Sequence, residues 1–330
     1  MKAGFNMKTS VALMGASGMV GQSIITALAD DPTFEIVEVI SSEKRQGKVY
    51  EAETNWLLLA PCPEKIKALT FKSLEDLESP YVISALPADA AETMEPALAD
   101  KGHIVFSNAA AHRLSDKAVM IVPEINREVL KKALPAQNKG MIVTNPNCVV
   151  AIVSLALAPF YEAGLVKTLS MTTLQSASGA GYPGVSSMDL LGNVVPYIQD
   201  EECKIIAELR QLFQVPNQPI SVQCNRVPVR VGHMASIELE LTEPLSVVDA
   251  QKIITQWGQS HDGMLIFHDD PTAPQPLKSL SANDMRVHVG RLQTGLTDRH
   301  IRFCALGDNL TRGAAGAAIA NMNLYHHLRR

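Results

Sequence analysis

The residue whose position is most suited to chemistry is Cys148, because it lies between a predicted strand and a predicted helix. Met141–Val143 predicts a buried strand, Thr144–Asn147 has turn-forming residues, and Val149–Pro159 is long enough for a helix. Cys148 is therefore expected in or near the first helical turn, where unpaired amide N–H groups and the helix dipole favour a thiolate. A thiolate attacks carbonyl groups, so Cys148 is a candidate nucleophile; a buried structural cysteine is the alternative.

A second group of reactive side chains lies in Asn225–His233, NRVPVRVGH. The side chain of His233 is of the type most readily poised near neutral pH, and Arg226 can hold a carboxylate through two hydrogen bonds. On one unbroken strand these two residues would face opposite sides, but Pro228 and Gly232 can break that register. The stretch predicts a proton-transfer group and an anion-binding group in one pocket; a structural or surface pair is the alternative.

A glycine-rich turn near the start of the chain predicts a nucleotide site. Ser10–Met14 predicts a strand that leads into Gly15–Gly21 (GASGMVG), and Gln22–Ala29 predicts the helix that follows. This order is the context of a dinucleotide fingerprint, here with the spacing G-x-x-G-x-x-G. Glycines let the backbone approach a pyrophosphate at the helix N-terminus. The candidate cofactor-binding residues of the turn are Gly15, Ser17, Gly18, Met19 and Val20.

The end of the second predicted strand, Phe34–Ile40, distinguishes the two nicotinamide cofactors. An acidic residue there would bind the ribose hydroxyls of NAD, whereas Ser41–Lys48 supplies hydroxyls and cations that suit a 2′-phosphate. The sequence therefore favours NADP(H), and a solvated charged loop that includes Glu43 is the alternative. The candidate residues in this loop are Ser41, Ser42, Lys44 and Arg45.

Strands and helices alternate through the first half of the chain. A helix-like segment, Ser73–Leu77, precedes the predicted strand Tyr81–Ala85, and a helix over Ala88–Lys101 follows it. The pattern continues with a strand over His103–Ser107 and predicts βαβ units in a doubly wound, Rossmann-type sheet. Ligands of such sheets bind at the carboxyl ends of the strands. Candidate cofactor-binding residues at the end of the third strand are Ser84, Leu86 and Pro87.

The second half of the chain predicts a different domain. Strands are predicted over Lys167–Ser176, Gln218–Arg230 and Ala235–Leu241, with a helix over Lys204–Phe213 between them. The final Ala-rich segment, Gly313–Leu328, predicts a helix that packs back on the first sheet. The predicted fold class is α/β, a Rossmann-type doubly wound sheet with a second α+β domain. The expected bounds are 1–146 plus 310–330 for the first domain and 147–309 for the second.

Composition excludes several classes of protein. The chain has 330 residues, room for two domains, and its net charge of −5 argues against a nucleic-acid partner. Five scattered cysteines without a CxxC pair predict neither a disulfide framework nor a metal site. Apolar runs of membrane-spanning length are missing, and Met1–Lys8 lacks the core of a secretion signal. We therefore expect a cytoplasmic protein without a membrane partner.

Taken together, the motifs resemble the aspartate-semialdehyde dehydrogenases, in particular their archaeal and fungal branch. The motifs that carry the resemblance are Gly15–Gly21, Thr144–Cys148, Gln175–Tyr182, Asn193–Lys204, Asn225–His233 and Asn309–Gly316. The resemblance implies reversible, NADP(H)-dependent conversion of L-aspartyl-4-phosphate to L-aspartate 4-semialdehyde and phosphate, a step towards lysine, methionine and threonine. It also implies a homodimer or homotetramer, so that the second domain is the catalytic and dimerisation domain.

The resemblance further implies a role for each site residue. Cys148 would be the acyl-thioester nucleophile, His233 the general acid/base, and Gln175 the residue that positions the acyl intermediate. Arg226 would bind the substrate α-carboxylate and Glu201 its ammonium group. The other residues implied are Arg113 and Lys204 for phosphate, Asn147 for substrate, and Gly179 and Asn309 for the cofactor.

Some of these assignments have a structural alternative. Glu201 and Lys204 are three residues apart and could form an ordinary exposed helix pair, and the neighbouring Glu202 could supply the carboxylate instead. Gln175 could be a polar residue at a strand end, and Arg113 could be solvated. Thr144, Cys203 and Gly307-Asp308 depart from the family pattern, and Cys203 bears on ammonium recognition.

Two other functions compete with this interpretation. A related acyl-thioester reductase, such as a malonyl-CoA reductase or an N-acetyl-glutamyl-phosphate reductase, would share the scaffold but act on a substrate without a free α-ammonium group. A catalytically silent NADP-binding protein would not need both Cys148 and His233. The acidic residue Glu201 favours aspartyl phosphate over the first alternative, and the retained Cys148–His233 pair argues against the second.

Overall fold

The computed structural model describes residues 8–136 and 139–330. Of Met1–Lys8, which the sequence analysis compared with a secretion signal, only Lys8 is among them. The chain divides into two compact units. The first contains the described residues up to Met120, with Glu128–Asn145 and Ala318–Arg330, and the second contains Ile121–Arg127 and Pro146–Ala317. The expected domain bounds differ from this division mainly at 121–127 and 310–317, which pack with the second unit.

The described residues of the first unit form a seven-stranded sheet in the order β3-β2-β1-β4-β5-β7-β6. Every neighbouring pair of strands is parallel. Short strands such as Tyr81–Ser84 are buried along their whole length, as is typical of a sheet covered on both faces. The strands are β1 (Thr9–Met14), β2 (Phe34–Ile40), β3 (Phe71–Lys72), β4 (Tyr81–Ser84), β5 (Ile104–Ser107), β6 (Ala118–Met120) and β7 (Met141–Thr144).

Helices follow most of these strands, which confirms the predicted doubly wound arrangement. The helices of this part of the chain are α1 (Met19–Leu28), α2 (Tyr50–Glu53), α3 (Glu64–Lys67), α4 (Ala88–Asp100) and α5 (Pro123–Ala133). The predicted helix over Ser73–Leu77 is wrong. The hydroxyl of Ser73 accepts the N–H of Asp76 at 3.2 Å and donates to its carboxylate at 2.6 Å, which closes a turn instead.

The second unit is built around a mixed sheet, whose described strands have the order β11-β12-β13-β10-β8-β9. The pairs β8–β9 and β11–β12 are parallel and the others antiparallel, which confirms a second domain of a more antiparallel type. The strands are β8 (Val166–Gln175), β9 (Ile220–Arg226), β10 (His233–Leu241), β11 (Leu265–His268), β12 (Val287–Thr294) and β13 (His300–Gly307).

The helix that carries the candidate nucleophile is the central helix of this unit. Twelve consecutive residues, 149–160, are buried, as expected for a helix that is apolar on all sides. A π-helical turn, Thr311–Ala315, precedes the last helix. The helices are α6 (Cys148–Glu162), α7 (Ser187–Leu190), α8 (Glu201–Leu212), α9 (Val247–Ser260), α10 (Pro276–Ser279) and α11 (Gly316–Leu328).

The end of α11 packs on the first sheet, as predicted from its Ala-rich sequence. The ring of Tyr325 lies 5.8 Å from the ring of Tyr81 and 5.9 Å from that of Phe106, both edge to face. None of the helices in residues 8–136 and 139–330 has both the length and the apolar character needed to cross a bilayer.

Candidate active site

Cys148 is the first residue of α6, which places it in the first helical turn as predicted. The side-chain oxygen of Asn147 accepts the N–H of Val149 at 2.8 Å and so caps the helix immediately before the cysteine. Cys148 is half-buried, so this residue is not enclosed in the apolar interior. The position combines a helix N-terminus with accessibility, the environment in which cysteines are reactive.

The cap residue Asn147 is held by two carboxylates of α8. Its backbone N–H donates to Glu208, and its side-chain Nδ2 donates to Oε1 of Glu201 at 2.9 Å. The helix begins at Glu201, three residues before the predicted start at Lys204. Because Glu201 and Glu208 are two helical turns apart, they lie on the same face and meet the same residue. Sequence reasoning missed Glu208, which the seven-residue spacing could have revealed had the helix been extended to Glu201.

The neighbouring acidic residues have different partners. Oε1 of Glu202 accepts the backbone N–H of Cys224 at 2.9 Å, so Glu202 fastens α8 to β9. Glu201 instead contacts the residue that precedes the nucleophile. Lys204 is exposed on the next turn of the helix. Of the two carboxylates, Glu201 is therefore the one directed to the candidate site.

The strand register of the second sheet brings three candidate residues to one end. Gln175 at the end of β8 pairs with Arg226 at the end of β9, while His233 begins β10 beside the end of β8. Arg226 and His233 lie on two strands joined by the connection Val227–Gly232, which agrees with the break expected at Pro228 and Gly232. Gly232 has a φ of 106°, which lets the chain turn into β10.

Arg226 is buried and close to the charged groups of the site. Its Nη1 donates to the carbonyl oxygen of Ser176 at 2.8 Å. Burial lowers the pKa of Arg226, while negative charge on the Cys148 thiolate and the Glu201 carboxylate acts in the opposite direction. A buried cation thus lies within electrostatic range of both the candidate nucleophile and the candidate ammonium-binding carboxylate.

His233 is 2% exposed and uncharged at neutral pH. Burial and the Arg226 guanidinium lower the pKa of His233 to about 3. Its Nδ1 accepts the backbone N–H of Ser176 at 3.1 Å. Gln175, the third member of this row, is buried and donates through Nε2 to Thr173 at 3.4 Å.

Gly179 and Asn309, predicted to bind the cofactor, lie beside these groups. A Cβ on Gly179 would come within 2.7 Å of Nη1 of Arg226 and 2.8 Å of Nε2 of His233, so a side chain here would displace one or both of these groups. The side chain of Asn309 is buried and accepts the N–H of Gly232 at 2.9 Å. Their contacts with the cofactor remain predictions.

The π-helical turn is fixed against the start of α6 by a residue that sequence reasoning missed. Arg312 forms a two-pronged pair with Glu124, at 2.7 and 3.0 Å, and its Nε donates to the carbonyl of Ala151 at 3.2 Å. Burial would raise the pKa of Glu124, but the guanidinium holds it below its usual value. Gly313 follows, and a Cβ there would lie 2.7 Å from Cβ of Cys148. The Arg312–Glu124 pair joins 121–127 to 310–317, and the bond from Arg312 to Ala151 joins both segments to α6 of the second unit.

In the first unit, the glycine turn has the geometry required for a nucleotide. Gly15 has a φ of 75°, and a Cβ there would lie 2.4 Å from the carbonyl oxygen of Ala85, at the end of β4. A Cβ on Gly21 would lie 2.3 Å from the carbonyl of Gly15. Gly18 precedes α1 without a side-chain cap, and the first turn of the helix has no acidic residue. The backbone N–H groups at the N-terminus of α1 therefore suit the anionic pyrophosphate of a dinucleotide.

Two buried residues that the sequence analysis did not select hold this turn in place. The hydroxyl of Tyr50 donates to the carbonyl of Ala16 at 2.8 Å. The side-chain amide of Gln22 donates to the carbonyl of Ser17 at 3.0 Å and to that of Asn55 at 2.9 Å. Backbone groups accept these bonds, so the sequence pattern contained no signal for them.

The candidate 2′-phosphate residues are partly assembled around the turn. Arg45 donates through Nη1 to the hydroxyl of Ser17 at 2.8 Å, which places this cation beside the glycines. Lys44 and Ser42 are exposed in the same short segment, and Ser41 is half-buried. The turn and its cation fit a dinucleotide with an additional phosphate.

The remaining candidates of the first unit lie at the carboxyl ends of its strands. Ser84 is buried, Leu86 half-buried and Pro87 exposed. Arg113 is 8% exposed and donates through Nη2 to the carbonyl of Asn108 at 2.8 Å. Arg113 is therefore fixed by hydrogen bonding within the protein rather than surrounded by solvent.

Family models match both halves of the chain. Residues 10–133 match the semialdehyde dehydrogenase NAD binding domain, and residues 157–312 match the semialdehyde dehydrogenase dimerisation domain. An aspartate-semialdehyde dehydrogenase of Archaeoglobus fulgidus is 35% identical over 339 residues, covering 96% of this chain and 98% of the relative. One of Trichophyton rubrum is also 35% identical, with 95% and 96% covered. A malonyl CoA reductase (NADP) of Metallosphaera sedula is 28% identical, with 95% of both covered.

Solved structures show the same fold. The aspartate semialdehyde dehydrogenase of Candida albicans, crystallised with NADP, has a TM-score of 0.84 and 29% identity, with 98% of both chains covered. The Vibrio cholerae enzyme II, complexed with ASA, has a TM-score of 0.81 over 97% of this chain and 99% of that chain, and at 22% identity supports the fold alone. With two domain matches and full-length relatives above 30% identity, the chain belongs to the aspartate-semialdehyde dehydrogenase family.

Proposed function

We propose that this protein is an NADP(H)-dependent aspartate-semialdehyde dehydrogenase. It would convert L-aspartyl-4-phosphate reversibly to L-aspartate 4-semialdehyde and phosphate through a thioester on Cys148. The observation that carries the proposal is the pair of opposite charges around this thiol, the buried Arg226 cation and the Glu201 carboxylate. An amino acid substrate needs a cation for its α-carboxylate and an anion for its ammonium group.

The candidate site residues would have the following parts in the proposed reaction. The Cys148 thiolate attacks the carbonyl carbon of the substrate, while Arg226 and Glu201 hold the two ends of the amino acid. Gln175 would position the acyl intermediate, and His233, at the same end of the sheet, would act as the general acid/base. Arg113 and Lys204 would bind phosphate, and Asn147 would contact the substrate from the helix cap. Bound NADP(H) would supply the hydride chemistry of this reaction.

The cofactor proposal is supported by the glycine turn and by the relatives. The open N-terminus of α1 suits the pyrophosphate, and Arg45 beside Ser17 suits a 2′-phosphate. The Candida albicans relative was crystallised with NADP. Titration of the protein with NADP and NAD, with Arg45→Ala as the variant, tests the preference. The variant should lose affinity for NADP and keep affinity for NAD.

The assembly and location of the protein are also proposals. The match to a dimerisation domain supports a homodimer or a tetramer of dimers. Light scattering of the purified protein distinguishes these two states from a monomer. All five cysteines, each within the described residues, are free thiols, which supports a cytoplasmic location.

The competing function is reduction of a CoA thioester, because one relative is a malonyl CoA reductase (NADP). A malonyl group has no ammonium, so Glu201, which accepts a hydrogen bond from Asn147, would have no cationic group of that substrate to bind. This contact favours the amino acid substrate.

One assay tests the proposal. Aspartate semialdehyde and NADP should give NADPH only when phosphate is present, and malonyl-CoA should not support oxidation of NADPH. Glu201→Gln should raise the KM for aspartate semialdehyde by about tenfold or more, since a charge-assisted contact is lost. Glu202→Gln is the matched control and should leave this KM near the wild-type value. Activity with malonyl-CoA but none with aspartate semialdehyde would refute the proposal.

A further inference from the structure

The loop that follows β5 carries Arg113, the cation that the proposed function assigns to phosphate. Nη2 of Arg113 donates to the carbonyl oxygen of Asn108 at 2.8 Å, so the guanidinium is folded back on the start of its own loop. The carbonyl of Ser84, at the end of β4, accepts the backbone N–H of Asn108 at 2.9 Å and its Nδ2 at 3.1 Å. The place of this cation therefore depends on how the loop 108–113 is held against the sheet.

The start of the loop is held by a hydroxyl and a buried carboxyl group. The hydroxyl of Ser107, the last residue of β5, donates to Oε1 of Glu95 at 2.7 Å. The same hydroxyl accepts the backbone N–H of Ala109 at 3.1 Å. A hydroxyl has one proton and two lone pairs, so its donation to Glu95 leaves the lone pairs to accept from the loop. Glu95 thus sets the orientation in which Ser107 holds Ala109.

The end of the loop meets the same face of α4. Nε2 of His112 lies 3.3 Å from the carbonyl oxygen of Ala91, and because a carbonyl can only accept, this nitrogen carries a proton. Nε2 is also 4.0 Å from Oε2 of Glu95. Ala91 and Glu95 are one helical turn apart and therefore share one face of the helix. Glu95 lies between the two ends of the loop, with Ser107 at one carboxyl oxygen and His112 near the other.

Packing alone does not explain the burial of Glu95. This residue is 0% exposed, and its Oε2 makes no hydrogen bond within residues 8–136 and 139–330. Burial raises the pKa of Glu95, while the Ser107 hydroxyl and the Arg113 cation act in the opposite direction. A buried carboxyl group costs free energy that a leucine of similar size would not. The hydrogen bond to Ser107 accounts for a carboxyl group at this position.

We propose that Glu95 is a positioning residue for phosphate binding: through Ser107 and His112 it holds the loop 108–113 so that Arg113 meets the phosphate group. This role rests on the proposed function, in which Arg113 binds phosphate, and Glu95 itself touches neither substrate nor cofactor, since it is fully buried. The position requires an acceptor oxygen, so glutamine can replace Glu95 and leucine cannot. Without the acceptor, the buried Ser107 hydroxyl loses its partner, and the loop moves to relieve this cost.

Phosphate affinity measured without turnover is the first test. Inorganic phosphate is titrated into the purified protein and followed by ³¹P NMR, with excess NADP present to fill the phosphate sites of the cofactor. Glu95→Leu, which keeps the volume of the side chain but not its acceptor, should weaken phosphate binding by about tenfold or more, as should Arg113→Ala. Glu95→Gln should stay within about threefold of the wild type. Glu92→Leu, the same substitution at an exposed position of α4, is the matched control and should leave phosphate binding unchanged.

Steady-state kinetics separate this role from a general loss of stability. In phosphate-dependent formation of NADPH, Glu95→Leu should raise the KM for phosphate by about tenfold or more and change the KM values for NADP and aspartate semialdehyde by less than about threefold. Ser107→Ala breaks the same link and should do likewise, and the double variant should be no worse than either single one. Equal increases in all three KM values, wild-type phosphate affinity in Glu95→Leu, or a Glu95→Gln as weak as Glu95→Leu would overturn the role of Glu95.

Loss of activity and loss of phosphate affinity have separate meanings. If the wild type forms no NADPH from aspartate semialdehyde but Glu95→Leu and Arg113→Ala lose phosphate affinity, the proposed function is wrong and the role of Glu95 is supported. If the wild type is active but Glu95→Leu and Ser107→Ala keep its KM for phosphate, the role of Glu95 is wrong and the proposed function is supported. Should Glu95→Leu not fold, Ser107→Ala decides the same question.

Discussion

Replacing Gly313 by alanine is the perturbation whose effect on the candidate nucleophile follows most directly from the structure. The new Cβ would lie 2.7 Å from Cβ of Cys148, 3.1 Å from its Cα and 3.3 Å from its carbonyl oxygen. Non-bonded carbon atoms rest at about 3.5–4.0 Å, so either the π-helical turn or the cysteine must move by about 1 Å. Two of the three contacts are with backbone atoms, so a side-chain rotation cannot relieve them.

The magnitude of the effect follows from this displacement. Overpacking a core position costs about 1–3 kcal/mol of stability. A catalytic group misplaced by about 1 Å lowers the rate by about 10²-fold. Because Arg312 fixes the π-helical turn to Glu124 and to the carbonyl of Ala151, we expect much of the movement at Cys148. Gly313→Ala should therefore lower kcat by about 10²-fold while the variant still folds.

The assay is phosphate-dependent formation of NADPH from aspartate semialdehyde, with NADP affinity and thermal unfolding measured on the same samples. NADP affinity should change by less than kcat, since the glycine turn proposed for the pyrophosphate belongs to the other unit. Ala314→Ser is the matched control, because it adds one heavy atom at the next, half-buried position and should leave kcat near wild type. Gly313→Ala with kcat within about threefold of wild type would refute the steric argument.

Three other changes have defined outcomes. Cys148→Ala should abolish turnover and leave NADP affinity largely unchanged in a binding titration; retained turnover would exclude the thioester. Gly21→Ala, which places a Cβ 2.3 Å from the carbonyl of Gly15, should weaken NADP binding by about tenfold or more in the same titration. Glu124→Gln should lower the free energy of unfolding at pH 7 by about 3–5 kcal/mol, measured with urea, because Arg312 remains buried and unpaired. The pKa of Glu124 is lowered from 4.5 by folding. The stabilisation by this ion pair is therefore complete above pH 4.5 and is lost as the pH falls through the folded-state pKa. An equal effect of Glu124→Gln at about pH 3 and pH 7 would contradict this pH dependence.

Local patterns in the sequence were sufficient for most of the elements and for the position of the nucleophile. The strand Phe34–Ile40 was predicted with its observed bounds, and Cys148 was placed in the first helical turn. Both predictions depend on apolar periodicity and turn-forming residues within a window of about ten residues, so the local sequence is enough to make them. The helix predicted over Ser73–Leu77 failed because a Ser–Asp turn has nearly the same local pattern as a helix start.

The partners of the site residues were decided by tertiary structure. Pro228 and Gly232 indicate a break between Arg226 and His233, but not which strand lies between them: both β9 and β10 pair with β8, about fifty residues earlier. The same is true of Glu208, which reaches Asn147 across 61 residues.

The sequence by itself determined the residue types of the site, the glycine turn and the two-domain organisation, because each can be recognised from the composition or from the pattern of neighbouring residues. Only the tertiary structure decided that Gln175, Arg226 and His233 meet at one end of the second sheet, that Glu201 rather than Glu202 is directed to the cap, and that a side chain on Gly313 would collide with Cys148. These are consequences of hydrogen bonds and close contacts between segments far apart in the chain. Packing geometry, and not local propensity, determines such contacts.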